Sequence, residues 1–149
     1  MKPINEMSLS FSSNSANEAF SRAAVAAFIS QLDPTVDELC DVKTAVSEAV
    51  TNCIVHAYRN AIGTIYINCK IYESGRIVVK IRDRGCGIAD VKQAMQPAFT
   101  TDEGERAGLG FAVMESFMDR LHVASKPQKG TSVIMEKTIQ RRSEDHGSK

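Results

Sequence analysis

The sequence predicts an α+β two-layer sandwich, in which a mixed, mostly antiparallel sheet carries its helices on one face. Apolar residues recur with alternating strand and helix periods, in the order β-α-α-β-β-(α)-α-β-β. Strands that follow one another through short turns indicate antiparallel hairpins, and clustered helices indicate one covered face. A doubly wound parallel fold would instead need a crossover between neighbouring strands.

The composition fits one globular domain. The chain has 149 residues, 43% of them hydrophobic, which is enough for a proper core. Its 18 basic residues equal its 18 acidic ones, which argues against nucleic-acid binding through a basic face. No apolar run has the length of a membrane span, and no signal peptide is evident. Neither a CxxC pair nor metal-ligand spacing occurs among the cysteines, which are therefore predicted to be reduced thiols of a cytoplasmic protein: Cys40, Cys53, Cys69 and Cys86.

The first two predicted elements are a strand and a helix. Apolar residues alternate with serines from Met7 to Phe11, as in a half-buried strand. Ser15 and Glu18 have the spacing of a capping box at the start of a helix. One face of that helix carries the apolar residues Phe20, Ala24, Ala27 and Phe28. Asp33-Pro34 is predicted to end it, because proline cannot continue a helix.

A long second helix is predicted to run from a second capping box, Thr35 and Glu38, to about Tyr58. Its apolar face consists of Val42, Val46, Ala49, Val50, Cys53 and Ala57. Glu48 and Asn52 lie four apart at the edge of this face and are therefore neighbours. The Asn52 oxygen suits Mg²⁺, and Glu48 could accept a proton from an attacking hydroxyl. A solvated pair on an amphipathic helix is the alternative interpretation.

The next two strands are predicted to form a hairpin that ends in an aspartate-glycine motif. Two runs of alternating apolar residues meet at Ser74-Gly75, a typical turn pair. Asp83 continues the inward phase of the second run, and a buried carboxylate needs hydrogen-bond donors. Gly85 and Gly87 let the backbone come close to a flat ring. The motif therefore suggests a purine pocket, with a simple turn as the alternative.

A polar, glycine-bearing stretch is predicted between Pro97 and Gly108, followed by a helix from Leu109 to Met118. Free N–H groups at the start of a helix suit phosphate oxygens. Arg106, just before the predicted helix, could reach a terminal phosphate. An ordinary flexible loop before a helix is the alternative. The pattern is neither GxGxxG nor a P-loop, so a dinucleotide site and a Walker-type site are not predicted.

Two further strands, 121–125 and 131–137, are predicted to complete a single domain over residues 1–139. Thr131, which follows Lys129-Gly130, could bond to a base or to a nearby water. A hairpin turn explains Lys129-Gly130 equally well. Residues 140–149 are polar and predicted to form a disordered tail.

Taken in order, these motifs resemble the N, G1, G2 and G3 boxes of the GHKL ATPase/kinase superfamily, whose ATP site is the Bergerat fold. The resemblance rests on the helix glutamate and asparagine, then DxGxG, then the loop running into GLGF, then Gly-Thr. It extends from Met7 to about Ile139. It implies that Pro97–Ala107 is an ATP lid.

Finer motifs resemble the anti-sigma serine kinases within this superfamily. They are the run Ser47–Tyr58, the PAFTT of Pro97–Thr101 and the GLGF of Gly108–Phe111. Asn17–Arg22 and Val25–Pro34 are similar to the sporulation branch, with the general-stress branch as the alternative. Other members of the superfamily are longer or place a phospho-acceptor histidine on a preceding helix, and no such segment is expected here.

The resemblance implies a serine kinase that uses Mg-ATP, forms ADP and phosphorylates an anti-anti-sigma antagonist. Asp83 is then expected to bind the adenine amino group with help from Thr131. Glu48 is the expected base for the substrate serine, and Asn52 the expected Mg²⁺ ligand. The remaining expected ATP contacts are Gly85, Gly87, Thr100, Thr101, Arg106, Gly108, Leu109, Gly110 and Phe111.

The resemblance also implies protein partners. A sigma factor of RNA polymerase is expected to be sequestered, with Arg22 as a contact shared with the antagonist. A homodimer is expected, and the edge strand Met7–Phe11 with its helix is the candidate interface. Neither nucleic acid nor membrane is an expected direct partner. Two alternatives remain open: a nucleotide-gated binding module without turnover, and a detached histidine-kinase-like ATPase domain.

Overall fold

The computed structural model describes residues 1–59, 61–95 and 102–140, and for 102–109 the backbone alone. One layer of the fold is an antiparallel sheet with the strand order β1-β2-β3-β5-β4. Its strands in the described part of the chain are β1 (Asn5–Ser12), β2 (Thr64–Ile71), β3 (Arg76–Arg82), β4 (Arg120–Lys126) and β5 (Gly130–Thr138). The predicted α+β class, the hairpin and the order of the elements are confirmed.

The helices form the second layer. They are α1 (Ala16–Ile29), α2 (Val36–Asn52), the short α3 (Val91–Ala94) and α4 (Asp102–Phe117). Helix α2 packs between α1 and α4. Every second residue of β2 and β3 is buried against this layer, which confirms the predicted alternation: Ile65, Ile67, Cys69, Ile71, Ile77, Val79 and Ile81. No helix among the described residues is long and apolar enough to span a membrane.

The apolar face predicted for α1 is only partly right: Phe28 packs against the core, but the fully buried residues lie on a neighbouring stripe. The buried residues are Ser21, Val25, Ala26 and Ile29, whereas the Phe20 side chain is 52% exposed. Val25 and Ile29 lie about one residue away from the predicted stripe around the helix. They decide the orientation because they bury more apolar area than the alanines that the prediction relied on.

The capping box predicted for α1 is wrong. Ser15 makes no side-chain capping bond with any described residue. Instead, Asn14 Oδ1 accepts a hydrogen bond from Ala16 N at 3.0 Å. Asparagine competes well with serine for this role, because its side-chain oxygen reaches the same free N–H groups.

The capping box predicted for α2 is confirmed, whereas the last turn of this helix is not α-helical. Thr35 Oγ1 accepts from Glu38 N at 3.0 Å, and Glu38 Oε1 accepts from Thr35 N at 2.9 Å. Beyond Asn52 the helix continues as a π turn, Cys53–Ala57. Tyr58 N closes this turn on Cys53 O at 3.1 Å. The helical path therefore reaches Tyr58 as predicted, but its last turn is wider than an α-helical one.

Helix α4 begins earlier than predicted, at Asp102 and not at Leu109. Gly108 and Gly110 therefore lie inside a helix, and the glycines do not mark its N-terminus. The sequence from Asp102 to Ala107 explains the difference, because acidic residues suit a first turn and Glu, Arg and Ala favour helices. The predicted tail lies outside the described residues from position 141 onward.

Candidate functional site

A cavity of about 300 Å³ lies beside the end of α2, the segment after β3 and the start of β5. This is the lower end of the size range of small-molecule sites. Its lining includes five residues that were predicted to bind a nucleotide: Asn52, Asp83, Gly87, Phe111 and Thr131. Cys53 and Cys86, to which the sequence assigned no such role, also line it.

Asp83 is a buried carboxylate in the wall of this cavity, with only 5% of its surface exposed. Its Oδ1 accepts from Gly85 N at 2.9 Å and from Thr131 N at 3.2 Å. The Cys53 thiol donates a third hydrogen bond. Burial raises the pKa of Asp83, and the three donors partly oppose that rise. Burial and the nearby Asp83 charge in turn raise the pKa of the Cys53 thiol, which stays protonated.

Gly85 and Gly87 are needed by the protein's own packing. A β-carbon on Gly85 would collide with the Ala57 carbonyl, and one on Gly87 would collide with the Lys126 carbonyl. Gly87 also has a φ of 75°, which side chains rarely adopt. The sequence correctly predicts that other groups come close to the backbone at these two glycines. The groups that come close are carbonyls at the end of α2 and at the end of β4.

The Thr131 hydroxyl is positioned by a residue that the sequence analysis did not single out. Ser125 Oγ lies 2.8 Å from Thr131 Oγ1, and either hydroxyl can donate. Ser125 Oγ also accepts from Ile88 N at 2.8 Å. A serine in an edge strand carries no sequence signal of this kind, because the contact joins β4 to the segment that follows β3.

Glu48 and Asn52 are neighbours, as their spacing predicted, and they face Gly110 of α4. A β-carbon on Gly110 would lie 3.2 Å from Glu48 Oε2 and 3.3 Å from Asn52 Nδ2. Asn52 Nδ2 is buried and has no hydrogen-bond partner among the described residues. Buried polar atoms of native proteins nearly always have partners, so this N–H donor has the character of a contact to a ligand acceptor such as a phosphate oxygen.

This donor set fits Mg²⁺. The described residues contain no group of three or more His, Cys, Asp or Glu side chains that could hold a metal. Mg²⁺ commonly takes only one or two protein oxygens beside phosphates and water. The carboxamide of Asn52, next to the Glu48 carboxylate, can provide such an oxygen.

Arg22 lies on α1, away from this cavity, and its side chain is 40% exposed. Its guanidinium lies 3.4 Å from Glu18 Oε1 and 3.4 Å from Ser47 Oγ. Such an exposed ion pair contributes little to stability. The Arg22 side chain is accessible to solvent and lies next to Ser47, the residue that precedes Glu48.

Five further residues were predicted to contact ATP. The backbones of Arg106, Gly108 and Leu109 belong to α4, and the side chains of Arg106 and Leu109 are outside the described part of the chain. Thr100 and Thr101 lie wholly outside the described residues.

Sequence comparison identifies relatives over almost the whole chain. Residues 11–137 match the family described as histidine kinase-like ATPase domain. The anti-sigma F factor of Caldanaerobacter subterraneus is 58% identical over 142 residues, which cover 95% of this chain and 99% of that protein. The anti-sigma F factor of Oceanobacillus iheyensis is 53% identical over 137 residues, covering 91% and 93% of the two chains.

Solved structures share the fold at low sequence identity. The RsbU and RsbW domains of a Mycobacterium tuberculosis protein match with a TM-score of 0.69 and 16% identity, over 93% of this chain and 33% of that one. The histidine kinase domain of an Erythrobacter litoralis blue-light activated kinase matches with a TM-score of 0.55 and 17% identity, over 82% and 60%. These likenesses support the predicted α+β fold.

Proposed function

This chain belongs to the histidine kinase-like ATPase family, in the branch of the anti-sigma F factors, and on that premise we propose that it is a serine protein kinase that also sequesters a sigma factor. The proposed reaction transfers the terminal phosphoryl group of ATP to a serine of an anti-anti-sigma antagonist in the cytoplasm. One observation supports it best. Asp83, a buried acceptor, and Asn52 line the same cavity; Asn52 Nδ2 has no hydrogen-bond partner in the part of the chain that the structure describes, and Glu48 is adjacent to Asn52.

Adenine recognition is proposed for Asp83. An ionised carboxylate has about four acceptor positions. Gly85, Thr131 and Cys53 supply three donors from the protein, so capacity for the exocyclic amino group of adenine is left. The Thr131 hydroxyl, held by Ser125, would contact the base beside it.

Phosphoryl transfer is proposed to use Glu48 as the base. Glu48 would accept the proton of the substrate serine while the serine oxygen attacks the terminal phosphorus and the bond to the leaving ADP oxygen breaks. Asn52 would hold Mg²⁺, which supplies neutralisation of the phosphate charge. Gly110 keeps the facing surface of α4 free of a side chain next to both groups.

The proposed protein partners use other surfaces. Arg22 is solvent-accessible on α1 and would contact the sigma factor and the antagonist in turn. Strand β1 is an edge of the sheet, and Phe20 of α1 is exposed with its ring edge-on to Phe11 at 5.9 Å. This edge and helix are the proposed homodimer surface. The names of the relatives favour the sporulation branch over the general-stress branch.

Replacing Glu48 by glutamine tests the kinase proposal. We expect the Glu48→Gln variant to bind ATP as the parental protein does and to lose phosphate transfer, because glutamine cannot accept the proton. Glu115→Gln, an exposed change on α4, is the matched control and should transfer phosphate normally. Nucleotide binding is measured by calorimetry, and phosphoserine on the co-purified antagonist by mass spectrometry.

Each other outcome identifies a different function. Transfer by Glu48→Gln at the parental rate would show that Glu48 is not the base. Nucleotide-dependent capture of a partner without any phosphoserine would identify a binding module. Acid-labile phosphate on a histidine of the partner would identify a histidine-kinase-like domain.

A further inference from the structure

The segment that follows β3 is held by the end of α2 through backbone contacts. Cys86 N donates to Ala57 O at 3.1 Å, and Cys86 Sγ donates to His56 O at 3.3 Å. Ala57 also fills the space that a side chain at Gly85 would occupy. The carbonyls of the π turn therefore bind the Asp83–Gly87 segment and do not remain as free ends of the helix.

Tyr58, the residue after the π turn, adds a side-chain contact to the same segment. Its hydroxyl accepts from Arg84 N at 2.7 Å and donates to Thr64 O at 2.7 Å. Its ring fills the space next to Gly63, where a β-carbon would collide with it. Burial raises the pKa of Tyr58, so the hydroxyl keeps the proton that it donates to Thr64.

The π turn brings these groups into place. In an α-helix, Tyr58 N would bond to Ile54 O, whereas here it bonds to Cys53 O. The wider turn changes the direction of the last carbonyls, and π turns often occur at functional sites for this reason. Cys53, at the start of the turn, contributes the thiol that reaches Asp83.

We propose that Tyr58 is a positioning residue for base recognition, which acts by fixing the Arg84 amide and, through it, the direction of the adjacent Asp83 side chain. This inference rests on the proposed function, because it assumes that Asp83 binds adenine. Tyr58 itself need not touch the nucleotide, since it does not line the cavity.

The Tyr58→Phe variant tests the inference, because it removes the hydroxyl and keeps the ring beside Gly63. We expect the dissociation constant for ADP to rise about fivefold to tenfold, an effect of the size that loss of one intramolecular hydrogen bond produces. The preference for ADP over GDP should fall, while kcat at saturating ATP stays within about twofold. Tyr72→Phe is the matched control, because Tyr72 lies at the opposite end of the β2–β3 hairpin.

The result separates this inference from the proposed function. If the parental protein binds neither ADP nor ATP, the proposed function is wrong. If it binds ADP but Tyr58→Phe has the parental affinity and base preference, the positioning role is wrong. A uniform loss of kcat with unchanged ADP affinity would also overturn it.

Hydrogen exchange gives a second measurement that does not depend on folding of the variant. In the parental protein we expect the Arg84 and Cys86 amides to exchange slowly and together, since one element holds both. ADP should slow both further. An Arg84 amide that exchanges as fast as an unprotected amide would contradict the contact with Tyr58.

Discussion

Gly110 faces Glu48 so closely that a β-carbon at position 110 would lie 3.2 Å from Glu48 Oε2. We therefore expect Gly110→Ala to lower phosphate transfer at least tenfold, because small displacements of a reacting group are costly. Stability should be unchanged or up to about 1 kcal/mol higher, since alanine favours a helix interior. Thermal melting and single-turnover transfer measure the two effects.

Gly85→Ala is the informative contrast to this variant. Its β-carbon would collide with the Ala57 carbonyl, which belongs to the backbone and cannot easily move away. We expect loss of stability together with loss of function. A Gly110→Ala protein that melts as early as Gly85→Ala would show that position 110 matters for packing and not for the site.

Asp83→Asn should separate stability from nucleotide binding. Burial raises the pKa of Asp83 above its ordinary 3.8, so ionising this carboxyl costs more free energy in the folded protein than in the unfolded one. The contribution of the protonated carboxyl to stability is complete below the ordinary value and is lost as the pH rises through the raised pKa. Asparagine imitates the neutral carboxyl. The melting temperature of the Asp83→Asn variant near neutral pH should therefore equal or exceed that of the parental protein. Adenine binding should be lost, as calorimetry would show.

The same group predicts how ADP binding depends on pH. Protonation removes the negative charge and an acceptor position from Asp83, so ADP affinity should fall as the pH is lowered through its raised pKa. Titrations at a series of pH values, with the Thr131→Val variant alongside, would locate the transition. An ADP affinity that stays constant down to the pH at which the protein unfolds in acid would argue against Asp83 as the acceptor.

Asn52→Ala should cost little stability, because Asn52 Nδ2 makes no hydrogen bond with the described residues. Most of the Mg²⁺-dependent part of ATP affinity should disappear, whereas affinity measured in EDTA should change little. Asn68→Ala is the matched control, since Asn68 Nδ2 bonds to Glu6 and Ser8 on the outer face of the sheet. Equal effects of the two changes on Mg²⁺ dependence would contradict the metal role.

Thiol labelling should follow burial. Cys40 is exposed and should react first with iodoacetamide, and Cys86 should react next, more slowly when ADP is bound. Burial raises the pKa of Cys69 to about 12, so this thiol should stay unlabelled until the protein unfolds. Peptide mass spectrometry over time measures the order. Labelling of Cys86 that ignores ADP would place the nucleotide elsewhere.

The elements of the fold were predictable because their signals are local. The alternation from Ile65 to Ile71 and the Ser74-Gly75 turn depend only on neighbouring residues. The buried face of α1 was not predictable in this way, because α1 has alanines on several faces and two apolar stripes are therefore possible. Packing against α2 determines that Val25 and Ile29 are the buried side chains, and sequence periodicity alone does not measure that packing.

The site divides along the same line. The spacing of Glu48 and Asn52 and the inward phase of Asp83 are local, and both agree with the structure. The bonds from Tyr58 to Arg84 and from Cys53 to Asp83 join residues far apart in sequence, through a π turn with no recognised sequence signature. Residue types show which chemistry is possible, but here tertiary contacts decide where each group lies.

Strand β3 has β2 on one side and β5 on the other, and β1 and β4 form the two edges of the described sheet. The carboxylate that follows β3 is thus anchored to the most protected strand, and edge strands are generally the first to fray. When mild heat or denaturant unfolds only the edge strands β1 and β4, the protein should still bind a purine. Base binding would then be lost under harsher conditions than the binding of any protein partner that contacts the edge strands.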